Sequence, residues 1–360
     1  MSSTPRLSLL PGFARQTRPS LRRVASASAL DRTSRLGSQA DTIPSEHTGL
    51  FRVPKLPRFF AHYLLVERIG TGGMGSVYRG VPVRGGAPVA AKILSEHLLG
   101  TEGPRRFRRE IEALEQLAHP NVVRLLDHGW VEGQPYYVME LVEGPDLTRL
   151  VGEHGGLPPS RIVGILRDLA EGLLHAHEHG FVHRDIKPSN VILGWDEERG
   201  EIAKLLDFGL VLPGRGLGER LTAEDMLLGT PGYMAPEGAK SAHAVGPRAD
   251  LYALAMIGFY LRTGRHLFRP VDVVSEESHA TALERGWRAL REAGGLPPPL
   301  EDALRSMLAF DARDRPVSAR ALLDVLDALD VPPWPREWAR AWWRSYGAQA
   351  AATRSQLSAK

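Results

Sequence analysis

Between residues 63 and 140, hydrophobic positions fall in short runs separated by glycine and polar residues, a pattern that predicts β-strands. These runs cover residues 63–66, 76–78, 89–92, 122–125 and 136–139. A helix near residues 104–118 is predicted to interrupt them. After about Leu147 the apolar positions recur with a helical period, over residues 160–179, 249–263, 301–308 and 319–329. The pattern predicts an α+β protein with two lobes, a small β-rich lobe over about 63–140 and a larger α-helical lobe over about 145–330.

The N-terminal segment, 1–58, differs in composition from the rest of the chain. It is rich in Ser, Thr, Arg and Pro and shows no sustained apolar period, so we predict a disordered leader over 1–58. The leader holds ten Lys and Arg against three Asp and Glu, a net charge of +7, whereas the whole chain carries +3 and the remainder therefore −4. Because the basic charge belongs to the leader, we expect no nucleic-acid binding by the folded part. A transit peptide is an alternative interpretation of the leader.

Aromatic residues dominate the tail, residues 331–360. Trp334, Trp338 and Trp342 recur every four residues around Pro335, and Trp343 and Tyr346 follow. The spacing predicts a helix with three indoles on one face. Packing of this face on the helical lobe is the favoured interpretation, and a partner or lipid-interface surface is the alternative. A regulatory partner is predicted to bind either the leader or this tail.

Composition excludes several classes of protein. The chain has no cysteine, so disulfides, thiolate zinc sites and a catalytic thiol are excluded. No run of about 18 apolar residues occurs, so we predict no membrane span. The apolar stretch 251–261 is too short to cross a membrane and predicts a buried core helix. The N-terminus also lacks the apolar segment of a secretory signal.

A glycine-rich segment between two predicted strands is a candidate phosphate-binding lid. Its residues are Gly70, Thr71, Gly72, Gly73, Met74, Gly75, Ser76 and Val77. Glycines let backbone amides approach phosphate oxygens, but similar spacing opens dinucleotide folds, where a helix follows. Here a strand follows, which favours a hairpin lid over ATP. Lys92 ends a later strand, where it could hold the α- and β-phosphates, with Glu110 as its predicted anionic partner and Glu112 or Glu115 as alternatives.

Two further segments carry acidic and amide side chains suited to phosphoryl transfer. In the stretch His183-Arg184-Asp185-Ile186-Lys187-Pro188-Ser189-Asn190, Asp185 could orient and deprotonate a substrate hydroxyl. Lys187 could neutralise the γ-phosphate and Asn190 could bind a metal ion. Asp207, followed by Phe208 and Gly209, lies at a predicted strand end where it could hold Mg²⁺.

Taken in this order, and with Ala235-Pro236-Glu237, these residues resemble the eukaryotic-type (Hanks-type) Ser/Thr protein kinase family over about residues 63–329. The resemblance implies a bilobal fold with ATP in the cleft, Asp185 as catalytic base, and Asn190 and Asp207 as Mg²⁺ ligands. It also implies a Glu237–Arg315 ion pair and an Asp250 that braces the loop 183–190. Further residues implied at the nucleotide are Ile69, Val77, Ala90 and Ile192 around the purine ring, Met139 as gatekeeper, Glu140 and Val142 at adenine, and Asp146 near the ribose.

The resemblance narrows the predicted activity. Lys187, together with Gly229-Thr230, is similar to the Ser/Thr branch, so the predicted substrates are proteins. The sequence at residues 72–75 and 233–237 is similar to that of bacterial members of the family, many of which continue into a membrane helix. Since this sequence contains no such span, we predict a cytoplasmic enzyme in a signalling role. Thr222 is the predicted autophosphorylation site. A catalytically inactive ATP-binding scaffold and a small-molecule kinase are the alternatives.

Overall fold

An antiparallel sheet forms the first lobe of the computed structural model, which describes residues 56–72, 75–95, 107, 111–112, 114–207, 231–240 and 245–358. Its strands are β1 (Arg58–Phe60), β2 (Tyr63–Gly72), β3 (Gly75–Pro82), β4 (Val89–Leu94), β5 (Leu125–Val131) and β6 (Gln134–Glu140). They lie in the order β1-β2-β3-β4-β6-β5. A two-stranded sheet of β7 (Val191–Asp196) and β8 (Gly200–Leu205) belongs to the second lobe.

Side chains of the central strands alternate between two apolar clusters, one on each face of the larger sheet. One cluster takes Val89, Ala91 and Ile93 from β4 and Tyr136 and Val138 from β6. The other takes Ala90 and Leu94 from β4 and Tyr137 and Met139 from β6. This alternation follows from the two-residue period of a strand. Both faces of the central strands are therefore buried.

Helices form most of the second lobe around one buried helix. They are α1 (Leu147–His154), α2 (Pro159–Glu178), α3 (Pro236–Lys240), α4 (Pro247–Thr263), α5 (Glu276–Glu292), α6 (Pro298–Met307), α7 (Arg320–Ala328) and α8 (Arg336–Ser358). Every residue of α4 from Ala249 to Leu261 is buried, as predicted for a core helix. The helix ends at Gly264, whose φ of 68° lets its N–H donate to the carbonyl of Tyr260 at 2.8 Å. Neighbouring helices α2 and α6 pack against α4.

The sequence misplaced one boundary. The predicted strand 122–125 is wrong, because β5 begins only at Leu125. Val122 and Val123 instead bind the backbone of Leu205 in the second lobe, through an isolated bridge and a 2.9 Å hydrogen bond. The predicted leader lies outside the described residues as far as residue 55, and its last residue, Arg58, begins β1, which pairs with β2.

Other differences concern whole elements. Helices α1 and α5 and strand β7 were not predicted from the apolar pattern, whereas β8 leads into Asp207, where a strand end was predicted. Of the helix predicted at 104–118, Phe107, Ile111 and Leu114 are helical and most other positions lie outside the described residues. Across the described part of the chain, no helix combines the length and the apolar character needed to span a bilayer.

The tail helix α8 packs on the helical lobe through a polar and aromatic cluster. The indole N–H of Trp343 donates to the carboxylate of Glu201 at 3.0 Å. The same carboxylate accepts two bonds from the Arg161 guanidinium, at 2.8 and 2.6 Å. Trp342 stacks on that guanidinium, with 4.3 Å between the Arg161 Cζ and the ring centre. Packing on the helical lobe, the favoured interpretation of the aromatic spacing, is confirmed.

One detail of the predicted tail is wrong. Because α8 begins at Arg336, Trp334 precedes the helix and does not belong to its face. Its ring still contacts Trp338 edge-on, with centres 5.7 Å apart, and lies 5.5 Å from the Arg161 Cζ. The chain entering the helix therefore supplies one of the two indoles that cover Arg161.

Asp168 on α2 makes stability depend on pH. Its carboxylate accepts a 2.7 Å bond from the Ala203 amide of β8. Burial raises the pKa of Asp168 to about 7, although the bond from Ala203 opposes the shift. The folded protein therefore keeps a proton that the unfolded chain loses near pH 4, so this group makes the free energy of unfolding fall as pH rises from about 4 to about 7. We expect Asp168→Asn, which retains an oxygen for Ala203, to remove this fall.

Urea unfolding at several pH values between 4.5 and 8 checks this expectation. The free energy of unfolding of Asp168→Asn, relative to the wild type, should rise with pH across that window. Asp324→Asn, at an exposed position of α7, serves as the matched control and should run parallel to the wild type. A parallel curve for Asp168→Asn would contradict the assigned role.

Candidate active site

Lys92 is placed at the cleft by the register of the sheet. In the pairing of β4 with β6, Lys92 lies opposite Tyr137 and Ala90 lies opposite Met139. Residues two apart in a strand share a face, so these four side chains lie on one surface. Lys92 is buried, and its Nζ lies 2.5 Å from Oδ2 of Asp207. The sheet thus presents a cation to the second lobe.

The glycine-rich segment forms the predicted hairpin. β2 pairs with β3 through Gly70 opposite Val77, Thr71 opposite Ser76, and Gly72 opposite Gly75. Gly75 has a φ of 144°, and a Cβ there would lie 2.1 Å from the carbonyl oxygen of Ile93. Only glycine permits this approach of β3 to β4. The tip residues Gly73 and Met74 lie outside the described residues.

The loop 183–190 brings three predicted side chains into one hydrogen-bonded group. Lys187 Nζ lies 3.0 and 2.8 Å from the two carboxylate oxygens of Asp185. The amide Nδ2 of Asn190 donates to the Asp185 carboxylate at 2.9 Å and to the Asp185 carbonyl at 2.8 Å. A short 3₁₀ turn, Pro188–Asn190, folds Asn190 back toward Asp185. The Asp185 carboxylate is half exposed and faces solvent on its remaining side.

Asp250 holds this loop from beneath. Its carboxylate, in the first turn of α4, is 1% exposed and accepts bonds from the amides of His183 and Arg184 at 2.7 and 2.8 Å. His177 of α2 also contacts it, with 2.8 Å between Nε2 and Oδ2. Arg184 has a φ of 64°, a conformation that these bonds help to stabilise. The brace that the resemblance implied for Asp250 is confirmed.

Asp207 joins the two lobes. One carboxylate oxygen meets Lys92, and the other accepts a 2.6 Å bond from the Tyr137 hydroxyl. Burial alone would raise the pKa of Asp207, but the charge of Lys92 and the bonds from Lys92 and Tyr137 together hold it below its ordinary value. Burial and the Asp207 charge raise the pKa of Tyr137, which stays a neutral donor. Asp207 is therefore held as an anion.

The backbone ties Asp207 to the loop 183–190. The amide of Leu206 donates to the carbonyl of Asn190 at 2.9 Å. The ring Nε2 of His183 lies 2.8 Å from the carbonyl oxygen of Leu206. These two contacts fix the segment that ends in Asp207 beside the loop that carries Asp185.

The residues predicted at adenine and ribose follow β6 into the second lobe. Glu140 is paired with Val89, its amide donates to the Arg124 carbonyl, and its side chain bonds Lys204 at 2.6 Å. Val142 packs against Gly194 of β7. The predicted nucleotide contacts therefore lie on the strand and linker that connect the lobes.

Asp146 and Ile192 lie side by side. An isolated antiparallel bridge joins their backbones. The Asp146 carboxylate caps α1 by accepting a 2.8 Å hydrogen bond from the Arg149 amide, a structural role in addition to the predicted place near the ribose. Ile69 of β2 is 45% exposed, so its side chain is available to a ligand. Glu110, the predicted partner of Lys92, and Thr222 lie outside the described residues.

A family model described as the protein kinase domain matches residues 63–325. The chain belongs to this family. The kinase domain therefore accounts for the bilobal fold, and the predicted family and fold class are confirmed.

Similar proteins include bacterial kinases. The serine/threonine-protein kinase PknL of Mycobacterium tuberculosis (strain ATCC 25618 / H37Rv) is 34% identical over 270 residues, which cover 75% of this chain and 66% of PknL. The serine/threonine-protein kinase pkn2 of Myxococcus xanthus is 37% identical over 273 residues, 74% of this chain and 32% of pkn2. The matched region thus spans about two thirds of PknL and one third of pkn2.

Solved kinase structures share the fold. The crystal structure of the Mycobacterium tuberculosis PknI kinase domain superposes with a TM-score of 0.56 at 28% identity, covering 75% of this chain and 97% of that domain. Rad53 (1–466) in complex with AMP-PNP gives a TM-score of 0.59 at 25% identity, covering 73% of this chain and 64% of Rad53. Both likenesses extend over the two lobes described above.

The kinase site offers oxygen donors suited to magnesium. Asn190 directs its amide nitrogen at Asp185, which leaves its amide oxygen for another partner. Asp207 contributes an ionised carboxylate from the neighbouring segment. Mg²⁺ prefers hard oxygen ligands and completes its shell with water and phosphate oxygens, so two protein donors suffice. Asn190 and Asp207 therefore fit the predicted ion.

The Glu237–Arg315 ion pair that the resemblance implied is confirmed. Arg315 Nη1 and Nη2 lie 2.7 and 2.8 Å from the two carboxylate oxygens of Glu237. The guanidinium is fully buried and also donates to the carbonyls of Ala309, Phe310 and Arg248. This pair anchors α3 to the segment before α7.

Sequence reasoning missed the contact of Tyr137 with Asp207. Tyr137 is an aromatic residue in an apolar run, a pattern typical of a core position. The signal that could have found it is its place opposite Lys92, which requires the pairing of β4 with β6. Because β4 ends at Leu94 and β6 begins only at Gln134, the local pattern does not contain that pairing.

Proposed function

We propose that this chain transfers the γ-phosphoryl group of ATP to Ser and Thr hydroxyls of proteins, in a Mg²⁺-dependent reaction. The hydrogen-bonded group of Asp185, Lys187 and Asn190, tied through Leu206 to Asp207, supports this proposal most directly. The Ser/Thr kinases at 34 and 37% identity support the class of acceptor. The AMP-PNP complex of Rad53 supports ATP as donor.

In the proposed reaction each side chain has one task. Lys92 holds the α- and β-phosphates, and the hairpin of β2 and β3 covers them with backbone amides. Asp185 orients the acceptor hydroxyl and accepts its proton as the new P–O bond forms. The bond between the γ-phosphorus and the β,γ-bridging oxygen breaks in the same step, and ADP is the leaving group. Lys187 stabilises the negative charge on the transferred group. Asn190 and Asp207 would hold Mg²⁺, and the ion would supply electrostatic stabilisation of the negative charge on the phosphates.

The nucleotide base has a proposed place as well. Ala90, Val77, Ile69 and Ile192 enclose the purine ring, and the backbone of Glu140 and Val142 binds its edge. Asp146 lies near the ribose, where its capping bond to Arg149 uses only one carboxylate oxygen. A Lys92–Glu110 pair, phosphorylation of Thr222, a cytoplasmic location and a regulatory partner stay predictions from the sequence.

Labelled ATP tests the proposed activity. The purified chain is incubated with γ-labelled ATP, Mg²⁺ and a generic protein substrate, and the product is hydrolysed for phosphoamino-acid analysis. Label on Ser and Thr, lost on chelation of Mg²⁺, is the expected result. An Asp185→Asn preparation made in parallel excludes a contaminating kinase. Nucleotide binding without transfer by the wild type would instead favour the inactive scaffold, and label on Tyr would contradict the assigned branch.

A further inference from the structure

The hydroxyl of Tyr137 reaches Asp207 from the floor of the cleft. Tyr137 is 4% exposed, and its Oη lies 2.6 Å from Asp207 Oδ1. The bond joins β6 of the first lobe to the segment after β8 of the second. A buried phenol thus touches one of the two residues that fit the metal ion.

The surroundings of this bond are apolar. A small cavity of about 40 Å³ adjoins it, lined by Leu114, Leu117, Val122, Val123, Leu125, Met139, Tyr137 and Asp207. Within this lining, Asp207 is the polar partner of the phenol. If the carboxylate turned away, the hydroxyl would lose its bond against a hydrocarbon wall, and an unpaired buried donor is costly. The phenol therefore favours the orientation of Asp207 in which one carboxylate oxygen meets Tyr137 and the other meets Lys92.

The Asp207 carboxylate has two anchors, Tyr137 and Lys92, and they differ in their relation to the nucleotide. Lys92 also binds the carboxylate, at 2.5 Å, and lies opposite Tyr137 with its Nζ 5.5 Å from the ring centre. In the proposed reaction Lys92 is shared with the phosphates of ATP. The Tyr137 hydroxyl lies behind the carboxylate, in the apolar pocket, and is not shared with the nucleotide. Its bond is thus the anchor that persists when ATP binds.

We infer that Tyr137 is a positioning residue that keeps Asp207 turned toward the metal-binding side of the cleft, an inference that rests on the proposed function. Since the competent orientation would be less populated without the hydroxyl, the affinity that depends on Mg²⁺ should fall in proportion. Adenine contacts would be untouched, because they lie on the far part of β6 and in the linker. Tyr137 should thus affect nucleotide binding only when Mg²⁺ is present.

Nucleotide binding by the full chain tests the inference without measuring turnover. Calorimetric titration of a non-hydrolysable ATP analogue with and without Mg²⁺ gives the gain in affinity that the ion provides. We expect Tyr137→Phe to reduce this gain roughly tenfold, the size expected for a lost hydrogen bond to a charged group. Affinity without Mg²⁺ should stay within about twofold of the wild type.

Tyr136→Phe is the matched control. It removes the same atom from the adjacent residue of β6, but its ring points to the opposite face and packs edge-on against Phe60, with ring centres 5.4 Å apart. The Mg²⁺-dependent gain should be retained in this control, and thermal unfolding verifies that both variants are folded.

Three results would overturn the inference. An unchanged gain in Tyr137→Phe would show that Lys92 and the backbone suffice to orient Asp207. An equal loss of affinity with and without Mg²⁺ would reveal a structural role only. If the nucleotide affinity of the wild type did not depend on Mg²⁺, the proposed function would be contradicted as well. The wild-type titrations alone reveal this result, before any variant is measured.

Discussion

Asp185→Asn should lower kcat by about 10²–10⁴-fold, the range that a positioned general base contributes. Asn retains the size of Asp and an oxygen that can accept the Asn190 bond of 2.9 Å, so the loop should keep its shape. It cannot accept the proton of the acceptor hydroxyl at neutral pH. The KM for ATP should change little, since Asp185 lies at the acceptor side and Lys92 and Asp207 hold the phosphates in the proposed reaction.

Steady-state kinetics with a protein substrate measure this effect. Asp302→Asn, an exposed position on α6, removes the same charge from a residue that is not among the predicted site residues and should leave kcat unchanged. Nucleotide titration of Asp185→Asn checks that binding survives. If the variant kept more than about a tenth of the wild-type kcat, Asp185 would not be the base.

Arg315→Met should destabilise the protein by about 3–5 kcal/mol, the cost of breaking a buried ion pair by removing one partner. The Arg315 guanidinium is fully buried and serves Glu237 and three backbone carbonyls, and its Cζ lies 4.7 Å from the ring centre of Tyr252. Methionine fills part of the volume but leaves the Glu237 carboxylate without its cation. For a domain of this size the midpoint of thermal unfolding should drop by roughly 6–20 °C.

Arg313 offers the matched control for this experiment. It lies two residues away, and its side chain is 86% exposed while pairing with Asp311 at 2.5 Å. Exposed ion pairs contribute little, so Arg313→Met should unfold with the wild-type midpoint. Differential scanning calorimetry of the two variants side by side measures the two unfolding midpoints. Equal midpoints would mean that the Glu237–Arg315 pair is not a major source of stability.

The sequence was most informative where chemistry is local. Asp185, Lys187 and Asn190 fall within one short stretch, so their proximity in the folded protein needed little more than one turn of chain. The hairpin of residues 70–77 was likewise predictable, because glycines and flanking strands specify it together. The contacts of Asp250 and Arg315 join segments that lie far apart along the chain, and they came from the family resemblance alone.

The hydrogen-bond partner of a buried polar atom could not be predicted from the sequence. The local sequence pattern around Tyr137 and Trp343 predicts only that their rings pack in apolar surroundings. In the structure, however, the side chain of each donates a hydrogen bond to a carboxylate from a distant segment. The misplaced strand at 122–125 has a similar origin. Its valines satisfy an apolar strand pattern, but their backbone pairs with Leu205 across the lobes and not within the sheet. Tertiary pairing overrides local propensity at such positions.

The docked end of the chain has a practical consequence for anyone preparing a shortened version of the protein. The family match stops at residue 325, and an expression fragment cut there would lack both indoles that shield the Arg161 cation and the donor that Trp343 gives to Glu201. The loss of this cover would expose the buried ion pair between Arg161 of α2 and Glu201 of β8 to water. A fragment that extends through Tyr346 would retain this cover and also the ring that stacks on Trp342.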